Sequence, residues 1–146
     1  MPEPVSFPKG ELAKQLGKIS ILGALSQGQL RKLANWAEVV AFDKGELVVK
    51  RGERGDGVYL ILSGSVDVRR GERKIAHLGE GQIFGEMSLF DDEPRSADVV
   101  TSAPSKLAVL QKWEFWGFAA SQPGVVLNIL GEMSRRLRAT NEALAD

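Results

Sequence analysis

The periodicity of apolar residues changes twice along this chain, and that change limits the fold more than any other feature. Between Val39 and Leu110 the sequence breaks into short runs rich in β-branched residues: ELVVK, GVYLILSG, SVDVR, KIAHL, ADVV and KLAVL. In the second run Val58, Leu60 and Leu62 alternate with Tyr59 and Ile61, and in the third Val66 and Val68 bracket Asp67. Closely spaced runs of this kind predict an all-β unit, and a roll, a barrel or a sandwich would each satisfy them. Gly45, Gly52, Gly55, Gly57, Gly64, Gly71, Gly79 and Gly81 punctuate the runs. Turns there need positive φ or close backbone approach.

On either side the period is helical. Glu11 to about Ile21 carries Leu12, Leu16 and Ile19, and Ser26 is an N-cap for a second helix that puts Leu30, Leu33, Ala34 and Ala37 on one face. Lys112–Ala120 reads as a lid or packing helix bearing Trp113, Phe115, Trp116 and Phe118. A last helix is predicted from near Pro123 to about Ala143. Pro2, Pro4 and Pro8 make residues 1–10 an extended, flexible lead-in. No internal repeat divides the rest, so residues 11–146 are expected to form one domain, with its β-structure over about 39–110 and its C-terminal helices over about 112–144.

Composition narrows the chemistry. Lys plus Arg and Asp plus Glu both number 19. This balance offers no general attraction to nucleic acid, although it is compatible with a local pocket for one small anion. Cysteine is absent, which rules out disulfides, thiolate nucleophiles and cysteine-based metal sites. His77 is the only histidine, and a lone imidazole cannot build a metal centre of the cupin kind. Neither a signal-peptide core nor an uncharged run of membrane-spanning length is present, so a soluble, cytoplasmic chain without membrane contact is expected.

One segment carries chemistry: Ile83-Phe-Gly-Glu-Met-Ser-Leu-Phe-Asp-Asp-Glu-Pro-Arg-Ser-Ala97. Gly85 lets the backbone turn sharply out of a strand, and Glu86-Met87-Ser88-Leu89 can form one helical turn whose N–H groups suit a phosphate. Arg95 can return to the same spot after the DDEP turn and grip two phosphate oxygens with its planar guanidinium. Ser96 adds a hydroxyl. Glu86 would repel a phosphate but would suit a sugar hydroxyl on the same ligand.

FGEMSLFDDEPRSA resembles the phosphate-binding cassette of the cyclic-nucleotide-binding domain family, known from catabolite activator proteins and protein kinase A regulatory subunits. The upstream FDKGELVVKRGERGDGVYLILSGSVDV is similar to the strand–turn pattern of that family, and the likeness covers about residues 16–140. It implies a mainly β fold: an eight-stranded, jelly-roll-like β-roll with N-terminal and C-terminal flanking helices. It further implies that Glu86 accepts from the ribose 2′-hydroxyl and that Arg95 pairs with the cyclic phosphate. Gly85, Met87 and Ser88 would add contacts, and Ser96, followed by Ala97, would meet the phosphate or the base edge. Val58, Leu60, Ile83 and Phe84 are the expected apolar walls. Arg135, Arg136 and Leu137 are the candidates, on the last helix, for a lid over the base.

The implied function is a non-catalytic sensor for cAMP, with cGMP the second candidate, needing no cofactor or metal and passing its signal to an unidentified output protein. Val126, Leu130, Met133, Leu137, Thr140 and Leu144 form a short heptad seam, which suggests a homodimer through the C-terminal helix. The likeness to catabolite activators stops near Ala143, so a nucleic-acid-binding output is not expected. Two other classes fit the sequence less well. A ligand-independent dimerisation or interaction module would keep the fold without needing Glu86, Arg95 and Ser96 together. An enzyme would need a nucleophile–base pair or a metal cluster, and the sequence displays neither.

Overall fold

The structure, a computed structural model, describes residues 2–19, 22–23, 25–55, 57–89 and 91–145. The side chains of Met87, Ile129, Glu132, Arg136 and residues 143–145 lie outside that description. Two helices open the chain, α1 (Lys9–Leu16) and α2 (Gln27–Trp36). Helix α1 buries Leu12, Ala13 and Leu16; Ile21, where the sequence suggested its end, is outside the described residues. Helix α2 starts where Ser26 predicts. The Ser26 hydroxyl accepts from the Gln29 N–H at 3.2 Å, and the Gln29 side chain accepts from the Ser26 N–H at 2.9 Å. This reciprocal pair satisfies two donors that the first turn leaves orphaned.

Two antiparallel sheets follow. The lead-in contributes β1 (Glu3–Pro4), and the roll itself comprises β2 (Glu38–Phe42), β3 (Leu47–Val49), β4 (Gly57–Ser63), β5 (Ser65–Arg70), β6 (Arg73–Gly79), β7 (Ile83–Phe84), β8 (Asp98–Thr101) and β9 (Ser105–Gln111). One sheet runs β1-β2-β9-β4-β7 and the other β3-β8-β5-β6. The roll therefore has the eight strands expected. Residues 3 and 4 of the lead-in are tied down, because β1 pairs with β2 and the Val5 N–H donates to the Val39 carbonyl at 2.8 Å. Two helices close the chain, α3 (Lys112–Ser121) and α4 (Gly124–Ala145).

Period-two alternation on β4 divides the interior into two cores. Val58, Leu60 and Leu62 face the helices and pack with Leu12, Leu33, Phe115 and Phe118. Ile61 faces the other way, into the space between the sheets with Phe42, Val66, Phe84, Val99 and Leu107, and Tyr59 packs against that cluster. A cavity lies at the end of this second core.

Ile61 is fully buried at the centre of β4. Its truncation removes apolar contact and leaves a hole that the surrounding strands close only in part. Ile61→Ala is expected to cost about 2–5 kcal/mol of unfolding free energy, measured by urea denaturation.

Candidate functional site

The segment singled out in the sequence links β7 to β8, and its local geometry follows from one glycine. Gly85 has φ of +82°, a left-handed conformation that a side chain would strain. The chain thereby leaves β7 and enters a single 3₁₀ turn, Glu86–Leu89. Ser88 closes this turn: its N–H and its hydroxyl both donate to the Gly85 carbonyl, at 3.2 and 2.7 Å. The hydroxyl also reaches the Gly57 carbonyl at 3.3 Å.

Arg95 converges on the same two carbonyls. Its Nη2 donates to Gly57 at 2.9 Å and its Nη1 to Gly85 at 3.4 Å. The Arg95 backbone is fixed by the β3–β4 loop, with its N–H donating to the Glu53 carbonyl and its carbonyl accepting from the Gly52 N–H, both at 2.9 Å. The guanidinium lies flat against Gly55. A Cβ built there would stand 1.7 Å from Nε and 2.0 Å from Cζ, so only glycine leaves room. Nε itself is buried and has no hydrogen-bond acceptor among the described residues. A charged group with an unmet donor is costly to bury unless something offsets it. Here that cost falls on the one arginine in the cavity wall.

The cavity measures about 460 Å³ and is lined by Val49, Val68, Phe84, Gly85, Glu86, Ser88, Asp91, Glu93, Pro94, Arg95, Ser96, Ala97 and Val99. This volume is within the range of small-molecule sites, about 300–1,000 Å³. Its walls differ in chemistry. One is the cassette, where Glu86 is only 8% exposed and Arg95 brings the positive charge. The other is apolar and set by register: Val49 pairs with Val99, and Val99 with Val68, so three valines form a row across β3, β8 and β5. Phe84 stacks on Tyr59 with ring centroids 4.9 Å apart. Burial holds the Tyr59 phenol above its ordinary pKa, against a smaller opposite pull from the Arg95 charge. At the rim, Arg70 donates from Nε to the Ser96 carbonyl at 3.1 Å.

Of the residues the sequence put forward, Phe84, Gly85, Glu86, Ser88, Arg95, Ser96 and Ala97 share this cavity. Met87 belongs to the turn, but its side chain is outside the described residues. Val58, Leu60 and Ile83 do not line it; they belong to the helix-facing core. The alternation on β4 was legible, but which face turned toward the cavity was not. Arg135 is on α4, and among the described residues none of α3 or α4 is part of the cavity lining. The valine row, Asp91, Glu93 and Pro94 were missed. Val68 and Val99 carried a signal in their strand alternation, but pairing them needs the register of β5 on β8.

His77 is elsewhere, on β6. Its Nδ1 lies 2.7 Å from Asp67 on β5, with Lys74 and Arg69 at 3.5 and 3.7 Å from the same carboxylate. The His77 hydrogen bond, helped by the Lys74 charge, holds the Asp67 carboxyl below its ordinary value. No cluster of potential metal ligands is found among the described residues, and no helix among them is long and apolar enough to cross a membrane.

The family described as Cyclic nucleotide-binding domain matches residues 39–122, more than half of the chain. The chain belongs to that family. Among curated relatives of this cyclic-nucleotide-binding domain, the CRP-like cAMP-activated global transcriptional regulator of Mycobacterium tuberculosis is 29% identical over 136 residues, 90% of this chain and 61% of the regulator. The cAMP-dependent protein kinase type II regulatory subunit of Drosophila melanogaster is 36% identical over 111 residues, 72% of this chain and 29% of the subunit. The domain thus spans less than two thirds of either relative. Among solved structures, a cyclic nucleotide-binding domain from Methylobacillus flagellatus superposes with a TM-score of 0.82 at 28% identity, covering 99% of this chain and 88% of that one. The catabolite activator protein of Thermus thermophilus gives 0.80 at 27% identity, covering 86% and 62%.

Glycine at position 55 is the seat of the Arg95 guanidinium, and an added methyl group must displace it. In Gly55→Ala, the slowly exchanging arginine Nε–H resonance expected of Arg95 in NMR spectra should vanish. It should persist in Gly10→Ala, where an added Cβ meets nothing within 4 Å.

Proposed function

We propose that this domain is a non-catalytic sensor that binds cAMP in the cavity between the cassette and the valine row, and that it works in the cytoplasm. The observation that carries this reading is the convergence of Glu86, Ser88, Arg95 and Ser96 on one wall of that cavity. Arg95 would pair with the cyclic phosphate through charge-assisted hydrogen bonds. Glu86 would accept from the ribose 2′-hydroxyl, which explains a buried carboxylate so near an anion-binding arginine. Gly85, Met87 and Ser88 would contribute contacts from the turn, and Ser96 a hydroxyl. The valine row and Phe84 offer apolar surface to the sugar and base. The cAMP-activated and cAMP-dependent functions in the names of the mycobacterial and fly relatives favour cAMP over cGMP.

In this reading α4 closes over the base as ligand binds, with Arg135 its candidate capping residue, and passes the change to an output protein. A ligand shifts such an equilibrium only by binding the closed arrangement more tightly. The surface of α4 favours an additional role in self-association. Val126 and Met133 pack against the core, whereas Leu130 and Leu137 are 48% and 62% exposed. Two copies pairing along α4 would cover these leucines.

Isothermal titration with cAMP, cGMP and cyclic di-GMP tests the sensor, with tightest binding expected for cAMP. Arg95→Glu should weaken cAMP binding about 100-fold or more, since it replaces the phosphate partner with a like charge. Glu86→Gln, which weakens one hydrogen bond to a charged group, should lose about 10-fold. Undiminished binding by Arg95→Glu would refute the site. Sedimentation should show a dimer that Leu130→Asp/Leu137→Asp converts to a monomer, and a monomeric parent protein would dismiss self-association.

A further inference from the structure

The cavity that Arg95 lines carries more negative charge than positive. Glu86, Asp91 and Glu93 share its lining with one cation, Arg95. Arg70 stands at the rim, with its Nε on the Ser96 carbonyl, and is not part of that lining. In the cyclic-nucleotide reading Arg95 takes the phosphate and Glu86 a sugar hydroxyl. Asp91 and Glu93 have no part in that pairing. The segment that bears them is nevertheless held in place. Trp116 donates its indole N–H to the Leu89 carbonyl at 2.9 Å, and Lys112 donates to the Asp91 carbonyl at 3.4 Å. The Glu93 N–H donates to Asp91 Oδ1 at 3.1 Å, which fixes the Asp91 carboxylate. The Lys112 ammonium is committed to the Asp92 carboxylate, 3.1 Å away, and Asp92 is outside the lining. Among the described residues no ion pair reaches Asp91 or Glu93.

We infer that Asp91 and Glu93 are specificity-determining residues, which reserve the cavity for singly charged phosphodiesters and turn away doubly charged phosphomonoesters. This inference rests on the cyclic-nucleotide reading above and deepens it by naming what the site rejects. Coulomb energy is proportional to the charge of the ligand. The two carboxylates oppose any anion, and they oppose a dianion twice as strongly. A space of about 460 Å³ is only about 10 Å across. The Debye length is about 8 Å at physiological ionic strength, so salt leaves part of this repulsion in place. A nucleoside 5′-monophosphate offers the same base and sugar to the valine row as its cyclic form. It differs by an opened ring and by a second phosphate charge, gained with a pKa of about 6. Discrimination is a difference of affinities, and a group that repels the wrong ligand supplies it without a new contact to the right one.

Three adenosine ligands separate charge from ring closure: cAMP is cyclic with one charge, AMP is open with two, and the methyl ester of AMP is open with one. Calorimetry reads the affinity of cAMP, and displacement of cAMP reads the other two. Asp91→Asn/Glu93→Gln removes both charges and keeps the size of both side chains. Exposed charges interact weakly, so the variant should bind cAMP and the methyl ester about 3-fold more tightly, and AMP about 10-fold, because its charge is doubled. Glu93→Gln alone, at an exposed position, should raise AMP affinity about 3-fold if the double variant does not fold. A loosened cassette would change all three ligands alike, so an AMP gain no larger than that of the methyl ester overturns the inference. So does AMP that displaces cAMP from neither protein. A parent protein that binds no cAMP overturns the sensor reading and this inference with it. One that binds cAMP while the gains ignore ligand charge overturns this inference alone.

Discussion

The placement of one guanidinium organises the functional half of this domain. Arg95 is drawn between the carbonyls of Gly57 and Gly85, and the Ser88 hydroxyl is drawn to the same pair. Two carbonyls with four lone-pair sites can accept from both groups at once, so the turn, the arginine and the start of β4 are locked as one unit. Glycine at 55 makes the arrangement sterically feasible, and glycine at 85 makes the turn conformationally feasible. The guanidinium could not occupy this seat with a methyl group at position 55.

This arrangement places a buried acidic residue and a partly satisfied arginine in the lining of one cavity. Arg95 Nε is buried without an acceptor among the described residues, which is destabilising unless something offsets it. Its position beside the cavity fits a site that takes a polar ligand. The opposite wall consists of valines from three strands, whose alignment depends on sheet register. In the proposed site, polar recognition would sit on a loop held by glycines and shape recognition on the strands, one side orienting the ligand and the other packing against it.

Much of the fold was legible in the chain. The switch from helical period to period two and back marked the roll and its flanking helices to within a few residues, and Ser26 marked the start of α2. These features are local, since the spacing of a few side chains already reports which backbone geometry buries them. The cassette was legible for a different reason. Gly85, Glu86, Arg95 and Ser96 lie within twelve consecutive residues, so their chemistry could be weighed before any long-range contact was known. The sequence is less informative where locality ends. Val58 and Leu60, expected as pocket walls, lie in the helix-facing core, because an alternating strand offers two faces and its own residues do not say which core each will meet.

The amino-acid sequence by itself determined the order of elements, the turn after Gly85 and the nearness along the chain of the glycine, acid, arginine and serine that line one cavity. The tertiary structure alone decided which side of β4 faces each core, that Val49, Val68 and Val99 stand in line, that Gly55 is the seat for Arg95, and that Trp116 reaches the cassette. The physical reason is distance along the chain. The contact of Arg95 with Gly57 joins residues 38 apart, and that of Trp116 with Leu89 joins residues 27 apart. Such contacts depend on strand register and helix docking, which arise from packing the whole domain and leave no periodic trace in any short stretch of sequence.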